Sequence, residues 1–186
     1  MKKMFKVTTK TIVATGLGAA LFALLFMYVK VPTGIPETEI QTAYGLGAFF
    51  AALFGPIAGG LIAFIGHALS DALQYDSPWW SWVVASGVSM FLVGLVYPKM
   101  KVEEGEFGWK DLLRFNIYQI IANVIAWGVV APALDVLIYA EPFVKVFTQG
   151  IVAGGWNMIS AGVIGSLLLF AYSKTRSKKG SLQKEE

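Results

Sequence analysis

The sequence predicts an all-α polytopic membrane protein with six transmembrane helices and both termini in the cytoplasm. Of its 186 residues, 56% are hydrophobic and 15% are charged, whereas soluble domains carry roughly 45–50% apolar and about 25% charged residues. The mean hydropathy is +0.62. Because a transmembrane helix needs about 20 residues, this length holds six helices with short connections. We therefore predict one integral membrane domain over residues 1–186.

Apolar runs between clusters of charged and turn residues define the six spans. The first run follows a basic segment at residues 1–10 and is long enough to cross a bilayer. Gly55 and Pro56 alone join the second and third runs, which predicts a tight antiparallel hairpin. The second run is too short to cross without tilt or cover from its neighbours. The predicted spans are Thr11–Val29, Gln41–Phe54, Pro56–Gln74, Trp79–Tyr97, Leu112–Tyr139 and Phe143–Tyr172, followed by a basic tail at residues 173–186.

The positions of Lys and Arg predict the orientation. Thirteen of the 15 lie before the first span, between the fourth and fifth spans or at the edge of the fifth, or after the last span. Only Lys30 and Lys145 lie on the other side. Because short loops rich in Lys and Arg stay in the cytoplasm, the 30–40 loop and the turns at 75–79 and 140–142 face outward. The basic excess thus reports topology, and we expect no nucleic-acid partner.

Composition excludes several kinds of chemistry. The chain has no cysteine and one histidine, whereas a protein metal site normally needs three or four ligands. It contains no G-x-x-x-x-G-K-[ST] string, so ATP hydrolysis is expected on separate chains. It contains no G-x-S-x-G string either, which disfavours an intramembrane enzyme. We predict neither a metal nor a cofactor.

The fifth span carries one stripe of polar and aromatic residues at helical spacing. A polar group in hydrocarbon needs a partner or a water-filled cavity, so the stripe is expected to face the interior. Pro132 removes a backbone donor and frees the Gly128 carbonyl, which predicts a kink or a break where the stripe reaches the outer half. The members of the stripe are Gln119, Asn123, Trp127, Asp135 and Tyr139.

Aromatic and amide residues also gather at the outer ends of the fourth and sixth spans. Three tryptophans within four residues cannot all face lipid headgroups, because successive helical residues point about 100° apart. At least one is expected to turn inward. Asp135, with Tyr139 and Glu141 after it, has two interpretations, a substrate-binding carboxylate or a partner for Lys145. The clustered residues are Trp79, Trp80 and Trp82 in the fourth span, and Lys145, Gln149, Trp156 and Asn157 in the sixth.

The third span places His67, Ser70, Asp71 and Gln74 on one face of its outer half. A His four residues before an Asp is compatible with a proton relay or a metal pair. We favour a hydrogen bond between helices that neutralises two buried polar groups, because the chain lacks further His or Cys ligands.

The first span presents small residues at every fourth position, with further small residues beside them. In lipid, such faces let two helix backbones approach closely. The pattern fits packing within the chain and docking to another membrane protein equally well. The residues are Thr15, Gly16, Ala19, Ala20 and Ala23.

Several strings, together with the six short spans and the long first loop, carry a family resemblance over nearly the whole chain. With them the chain resembles the substrate-binding S component of energy-coupling factor (ECF) vitamin transporters, in particular the riboflavin-type subfamily. The strings are Ile35-Pro36-Glu37-Thr38, Phe54-Gly55-Pro56, Ile65-Gly66-His67-Ala68-Leu69, Ser77-Pro78-Trp79-Trp80-Ser81-Trp82, Asn116 through Trp127, Ala131-Pro132-Ala133-Leu134-Asp135, and Tyr139-Ala140-Glu141-Pro142 with Lys145-Val146-Phe147-Thr148-Gln149-Gly150.

The resemblance implies a vitamin-binding membrane subunit that joins a transmembrane coupling protein and two cytoplasmic ATPases. It implies that the small-residue face of the first helix contacts the coupling subunit. It also implies an outward pocket walled by spans four to six and closed by the loop Lys30–Ile40, for which we predict hinges at Pro32, Gly34 and Pro36. The residues predicted to bind substrate are Gln41, Trp79, Trp80, Asn123, Trp127, Asp135, Tyr139, Glu141, Gln149, Trp156 and Asn157.

The leading hypothesis is uptake of a flat, uncharged, hydrogen-bonding vitamin such as riboflavin. Stacked rings and amide edges suit a planar heteroaromatic molecule, and carboxylates suit a polyol chain. A hydroxymethylpyrimidine or pyridoxine-type precursor is the alternative substrate. A stand-alone secondary transporter is a further alternative, but the chain shows no repeated halves and its acidic residues are peripheral.

Overall fold

Helices dominate the part of the chain that the computed structural model describes, which is Phe5 and residues 7–34 and 38–176. Five apolar helical stretches are long enough to cross a membrane, and α2, with 12 residues, is a shorter sixth. The predicted all-α multi-pass membrane fold is confirmed, including the short second helix. The helices are α1 (Thr9–Tyr28), α2 (Ala43–Phe54), α3 (Pro56–Tyr75), α4 (Trp80–Gly94), α5 (Trp109–Ile125), α6 (Ala131–Tyr139), α7 (Phe143–Ser160) and α8 (Ser166–Lys174).

Each of the two longest helical stretches contains a π-helical segment. Ala126–Val130 joins α5 to α6, and Ala161–Gly165 joins α7 to α8. Pro132 lies in the first turn of α6, directly after the first of these segments. The backbone accommodates the missing donor by widening the preceding turn, in which Ala131 N–H bonds to the Ala126 carbonyl. The helix is therefore deformed near Pro132, but it does not break.

Small residues let α1, α3 and α4 pack backbone to backbone. A Cβ on Gly66 of α3 would lie 2.9 Å from the Ala19 carbonyl oxygen and 2.8 Å from the Phe22 ring of α1. A Cβ on Gly94 of α4 would lie 2.5 Å from Cα of Pro56. Close approach of this kind drives helix association in lipid. The helix α3 therefore packs closely against both α1 and α4.

The first outward loop is a short β-hairpin. β1 (Lys30–Pro32) pairs antiparallel with β2 (Glu39–Gln41), with Lys30 opposite Gln41. The Thr42 hydroxyl donates to the Val29 carbonyl at 2.7 Å and closes the base. β2 packs against α7. The sequence predicted a loop here but not paired strands; Pro36, one of its predicted hinges, lies outside the described residues.

Contacts at the two ends of the bundle agree with the predicted alternation of spans. Lys10 forms an ion pair with Glu103, and Arg176 Nε donates to the Glu103 carbonyl at 3.5 Å. The start of α1, the α4–α5 connection and the end of α8 therefore share one end. The hairpin, the α3–α4 turn and the α6–α7 turn lie at the other, which we call the outer end.

Candidate functional site

Asp135 is the centre of the polar contacts at the outer end. It is 2% exposed, and both carboxylate oxygens accept hydrogen bonds from α4 or the residue that precedes it. Trp79 Nε1 donates to Oδ1 at 2.7 Å, and Trp82 Nε1 donates to Oδ2 at 2.6 Å. The Ser81 hydroxyl also donates to Oδ1. The donors on Asp135 are tryptophan and serine side chains and not Lys145, while a role of this carboxylate in binding substrate stays a prediction.

Trp79 is held by two carboxylates from different helices. Asp71 Oδ2, on α3, accepts its backbone N–H at 3.0 Å, while Asp135, on α6, accepts its indole N–H. The indole also packs against the Tyr139 ring, with centroids 4.4 Å apart. The Tyr139 hydroxyl oxygen in turn accepts the Trp80 N–H at 3.1 Å. The first N–H groups of α4, which have no partner within their own helix, are thus capped by α3 and α6.

His67 belongs to a buried hydrogen-bond network between α2, α3 and α4. Its Nδ1 lies 2.6 Å from the Ser86 hydroxyl, and its Nε2 lies 3.4 Å from Asp71 Oδ1. The Tyr44 hydroxyl lies 2.7 Å from the same Ser86 oxygen. Within the described part of the chain, no third His, Asp or Glu joins the pair to form a metal-binding group. The geometry agrees with the favoured packing interpretation, now extended to a second helix through Ser86.

The polar stripe of α5 forms a continuous chain of side-chain hydrogen bonds. Trp127 Nε1 donates to Asn123 Oδ1 at 2.9 Å, and Asn123 Nδ2 donates to Gln119 Oε1 at 3.2 Å. Gln119 Nε2 donates to Asn116 Oδ1 at 3.2 Å, and Asn116 Nδ2 donates to the Ser166 hydroxyl at 3.1 Å. The predicted inward orientation is therefore observed. The side-chain amide of Asn123 therefore bonds residues of its own helical stretch.

Trp127 packs against two other aromatic rings. It is 1% exposed, and its ring lies 5.3 Å from that of Tyr44 and 5.4 Å from that of Trp82, between centroids. Gly154 of α7 touches its Cβ side, since a Cβ there would lie 2.9 Å from Trp127 Cβ. The ring therefore lies inside the bundle, beneath the Asp135 cluster. Stacking of a ligand on it stays a prediction.

Two predicted amide residues keep unused hydrogen-bonding capacity. Asn157 is 2% exposed, and its Oδ1 has no hydrogen-bond partner among the described residues. Gln41 donates to Glu39 at 3.3 Å, but its buried Oε1 is likewise unpaired within the described chain. Asn157 lies on α7, the helix against which the hairpin strand of Gln41 packs. Gln149 is also buried on α7.

The remaining predicted residues lie nearer the surface. Glu141 Oε2 accepts from Lys145 Nζ at 3.0 Å, so Glu141 is an ion-pair partner of Lys145. Trp80 is 46% exposed and packs on Phe64, and Trp156 is 38% exposed. Of the three tryptophans at the start of the fourth span, Trp82 turns inward and Trp80 faces outward.

Lys30 ties the hairpin to α3. Its Nζ lies 2.8 Å from Glu39 Oε2, on the opposite strand, and donates to Gln74 Oε1 at 3.3 Å. Burial opposes the positive charge, but the hydrogen bond and charge of Glu39, helped by Tyr75, outweigh it and raise the pKa of Lys30 above its usual value. The contact links one strand of the hairpin to its partner strand and to the helix below.

The small-residue face of α1 divides into a buried and an exposed half. Ala19 and Ala23 are 3% and 5% exposed, because they pack inside the chain. Gly16 and Ala20 are exposed, and Thr15 is half-buried with its hydroxyl on the Thr11 carbonyl. Docking by a coupling subunit stays a prediction for the exposed half, whereas Ala19 and Ala23 face other parts of this chain.

Sequence reasoning missed three hydrogen-bonding residues at the centre of these networks. Tyr44, Ser81 and Ser86 are all buried, and each bonds across helices. Tyr44 is the single residue of α2 with a polar side chain, which was an available signal. The sequence gives no such signal for Ser81 and Ser86, because a serine in an apolar helix commonly bonds the backbone of its own helix.

These features define a class of protein. A multi-pass helical chain whose sequence has no phosphate-binding loop motif, and whose buried polar side chains bond between helices, has the form of a membrane subunit that binds a ligand. A family model described as ECF-type riboflavin transporter, S component, matches residues 6–174. The chain belongs to this family of ECF transporter S components. It is a substrate-binding subunit of the cell membrane, not an enzyme.

Curated relatives match over nearly full length. A UPF0397 protein of Enterococcus faecalis is 49% identical over 180 residues, covering 97% of this chain and 98% of the relative. One from Exiguobacterium sp. is 54% identical over 178 residues, covering 96% and 97%. One from Clostridium perfringens is 52% identical over 185 residues, covering 100% of both. These names state no substrate.

Proposed function

We propose that this subunit captures riboflavin, or a similarly flat and uncharged vitamin, from outside the cell and works with an ATP-driven module. The observation that carries the proposal is a pair of buried amide oxygens, Asn157 Oδ1 and Gln41 Oε1, that have no hydrogen-bond partner in the described part of the chain. A buried acceptor without a hydrogen-bond partner lowers the stability of the fold. Natural structures therefore rarely contain one unless a ligand or a water molecule bonds it. Both atoms accept hydrogen bonds, which suits a ligand with N–H or O–H donors on its edge.

Three tryptophans are proposed to supply the other half of the recognition. Trp79, Trp82 and Trp127 lie around the same outer part of the bundle, and two of their indoles are fixed by Asp135. Aromatic faces held in place bind a planar heteroaromatic molecule at low entropic cost. The riboflavin ring carries both an extended π-face and an imide N–H. Hydroxymethylpyrimidine and pyridoxine offer a smaller π-face, with amino or hydroxyl donors in place of the imide.

Energy coupling belongs to other chains in this proposal. The sequence has no phosphate-binding loop, so a transmembrane coupling subunit and two cytoplasmic ATPases supply the ATP-driven step. The exposed half of the small-residue face, Gly16 and Ala20, is the place where a partner helix can approach the α1 backbone. Leu17 and Leu21 line a shallow groove between α1 and α2 beside it.

Ligand binding to the purified full-length subunit tests the proposal. Riboflavin, hydroxymethylpyrimidine and pyridoxine are titrated separately, and we expect submicromolar binding of riboflavin. Asn157→Ala weakens it by about tenfold, the equivalent of one hydrogen bond. Thr148→Ala is the control, since this exposed hydroxyl on the same helix donates to the Val144 carbonyl of its own helix. Absence of binding by all three compounds at micromolar concentration overturns the proposal.

A further inference from the structure

Asp135 uses its hydrogen-bonding capacity on the chain's own donors. A carboxylate has about four lone-pair sites. Two indole N–H groups and one hydroxyl approach them from α4 and Trp79, with the indoles at 2.6 and 2.7 Å. The chain's own donors therefore fill three of these sites. The carboxylate is therefore used mainly to join α6 to the start of α4.

The two indoles that Asp135 holds face different neighbours. The Trp79 ring packs on Tyr139 at 4.4 Å, near the outer surface. The Trp82 ring packs on Trp127 at 5.4 Å, deeper in the bundle. One carboxylate thus sets the rotation of an outer and an inner ring at once. Asp71 fixes the backbone of Trp79 independently, through its N–H.

We propose that Asp135 is a positioning residue: it orients the Trp79 and Trp82 indoles and governs ligand affinity through them, without touching the ligand. This inference rests on the proposed function, since it assigns these rings to the binding site. It replaces the expectation that the Asp135 carboxylate receives the hydroxyls of a polyol. Hydrogen bonds to a charged acceptor are roughly twice as strong as neutral ones, which suits a group that must hold two large rings.

The first experiment needs no ligand. In full-length protein labelled with ¹⁵N-tryptophan, the indole N–H resonances of Trp79 and Trp82 are assigned with Trp79→Phe and Trp82→Phe. Asp135→Asn replaces one acceptor oxygen with a donor, so both resonances move while that of Trp109 stays. Asp76→Asn is the matched control, because this exposed carboxylate lies at the same end of the bundle. Unmoved Trp79 and Trp82 resonances in Asp135→Asn overturn the proposal.

Trp82→Phe keeps the test decisive if Asp135→Asn does not fold. This variant removes one donor from the shared carboxylate and leaves the carboxylate in place. We expect the Trp79 resonance to move, because its acceptor has lost a competing donor. An unchanged Trp79 resonance overturns the shared-acceptor geometry.

The second experiment separates positioning from direct contact. Riboflavin and lumichrome share the flat ring, but lumichrome lacks the polyol chain. If Asp135 acts by positioning, Asp135→Asn weakens the binding of riboflavin and of lumichrome by the same factor, about tenfold. In a protein that already carries Trp79→Phe and Trp82→Phe, adding Asp135→Asn causes no further loss of affinity for either compound. A loss confined to riboflavin overturns the proposal in favour of direct contact. If wild type binds neither compound, the proposed function fails, and the resonances still decide whether Asp135 orients the indoles.

Discussion

Gly150 of α7 packs directly against the carbonyl oxygen of Trp127. A Cβ at position 150 would overlap that oxygen and would lie 2.8 Å from Pro132 Cγ. The carbonyl belongs to the π-helical segment that precedes Pro132. Irregular backbone at membrane depth is tolerated when protein covers it, and here the bare Gly150 backbone provides the cover. The contact joins the α5–α6 stretch to α7 at the level of the candidate site.

Gly150→Ala is expected to destabilise the protein by about 1–3 kcal/mol, because the new methyl group forces two backbones apart. The thermal midpoint of the detergent-solubilised protein measures the effect. Gly155→Ala, on the same helix, is the control, since a Cβ there meets no atom within 4 Å. Equal midpoints for the two variants contradict the close packing of Gly150 on Trp127.

Ser86→Ala is expected to destabilise the protein by about 1–3 kcal/mol, because Tyr44 and His67 both lose a buried partner. Ser89→Ala is the matched control. It lies on the same helix, is equally buried, and its hydroxyl has no partner among the described residues. In chemical or thermal unfolding, Ser89→Ala should be as stable as the wild type or slightly more stable. A similar loss in both variants would show that the Ser86 network contributes nothing specific.

Asn123→Ala and Asn157→Ala are expected to act differently, although both amides are buried. Asn123 bonds Trp127 and Gln119, so its loss lowers stability by about 1–3 kcal/mol. Asn157 Oδ1 has no partner within the described chain, so its loss mainly weakens ligand binding. Unfolding and titration on the same samples separate the two effects. A larger stability loss in Asn157→Ala would reverse the assignment.

Lys30 is expected to titrate above the ordinary lysine pKa because Glu39 stabilises its charge. Since its pKa is higher in the folded than in the unfolded state, its contribution to stability is complete below the unfolded value and is lost as pH rises through the folded one. NMR of ¹³C-methylated lysines measures this pKa. Glu39→Gln should lower it, because burial then acts with less opposition. An unchanged pKa in Glu39→Gln contradicts the pairing.

Bulky residues on the exposed half of the α1 face are expected to block a partner without unfolding the subunit. Ala20→Leu leaves the isolated subunit stable, because the side chain faces outward. It weakens association with a coupling subunit, which is the proposal being tested. Ala19→Leu destabilises the subunit itself, because Ala19 is buried. Copurification with the coupling subunit and thermal unfolding distinguish these cases. Normal copurification of Ala20→Leu would show that the coupling subunit does not bind at this part of α1.

Much of the candidate site was predictable from helical spacing. The stripe from Gln119 to Tyr139 was expected to face inward, and its polar members are hydrogen-bonded within the bundle. The partners of its members were not predictable. For Asp135 the sequence offered a ligand or Lys145. The structure shows Trp79, Ser81 and Trp82 as its donors, 53 to 56 positions away in the chain, and ligand binding stays a prediction. Spacing within one helix carries no information on which residue of another helix lies opposite.

The sequence alone determined that the chain is an all-α membrane protein, and it predicted where the spans lie and which residues turn inward. These properties follow from the transfer of each segment into lipid, where backbone groups must pair within a helix and polar side chains must face protein. Only the tertiary structure decided which buried polar atoms bond one another and which, such as Asn157 Oδ1 and Gln41 Oε1, have no partner among the described residues. That outcome depends on separations of a few ångströms between helices, which their packing sets.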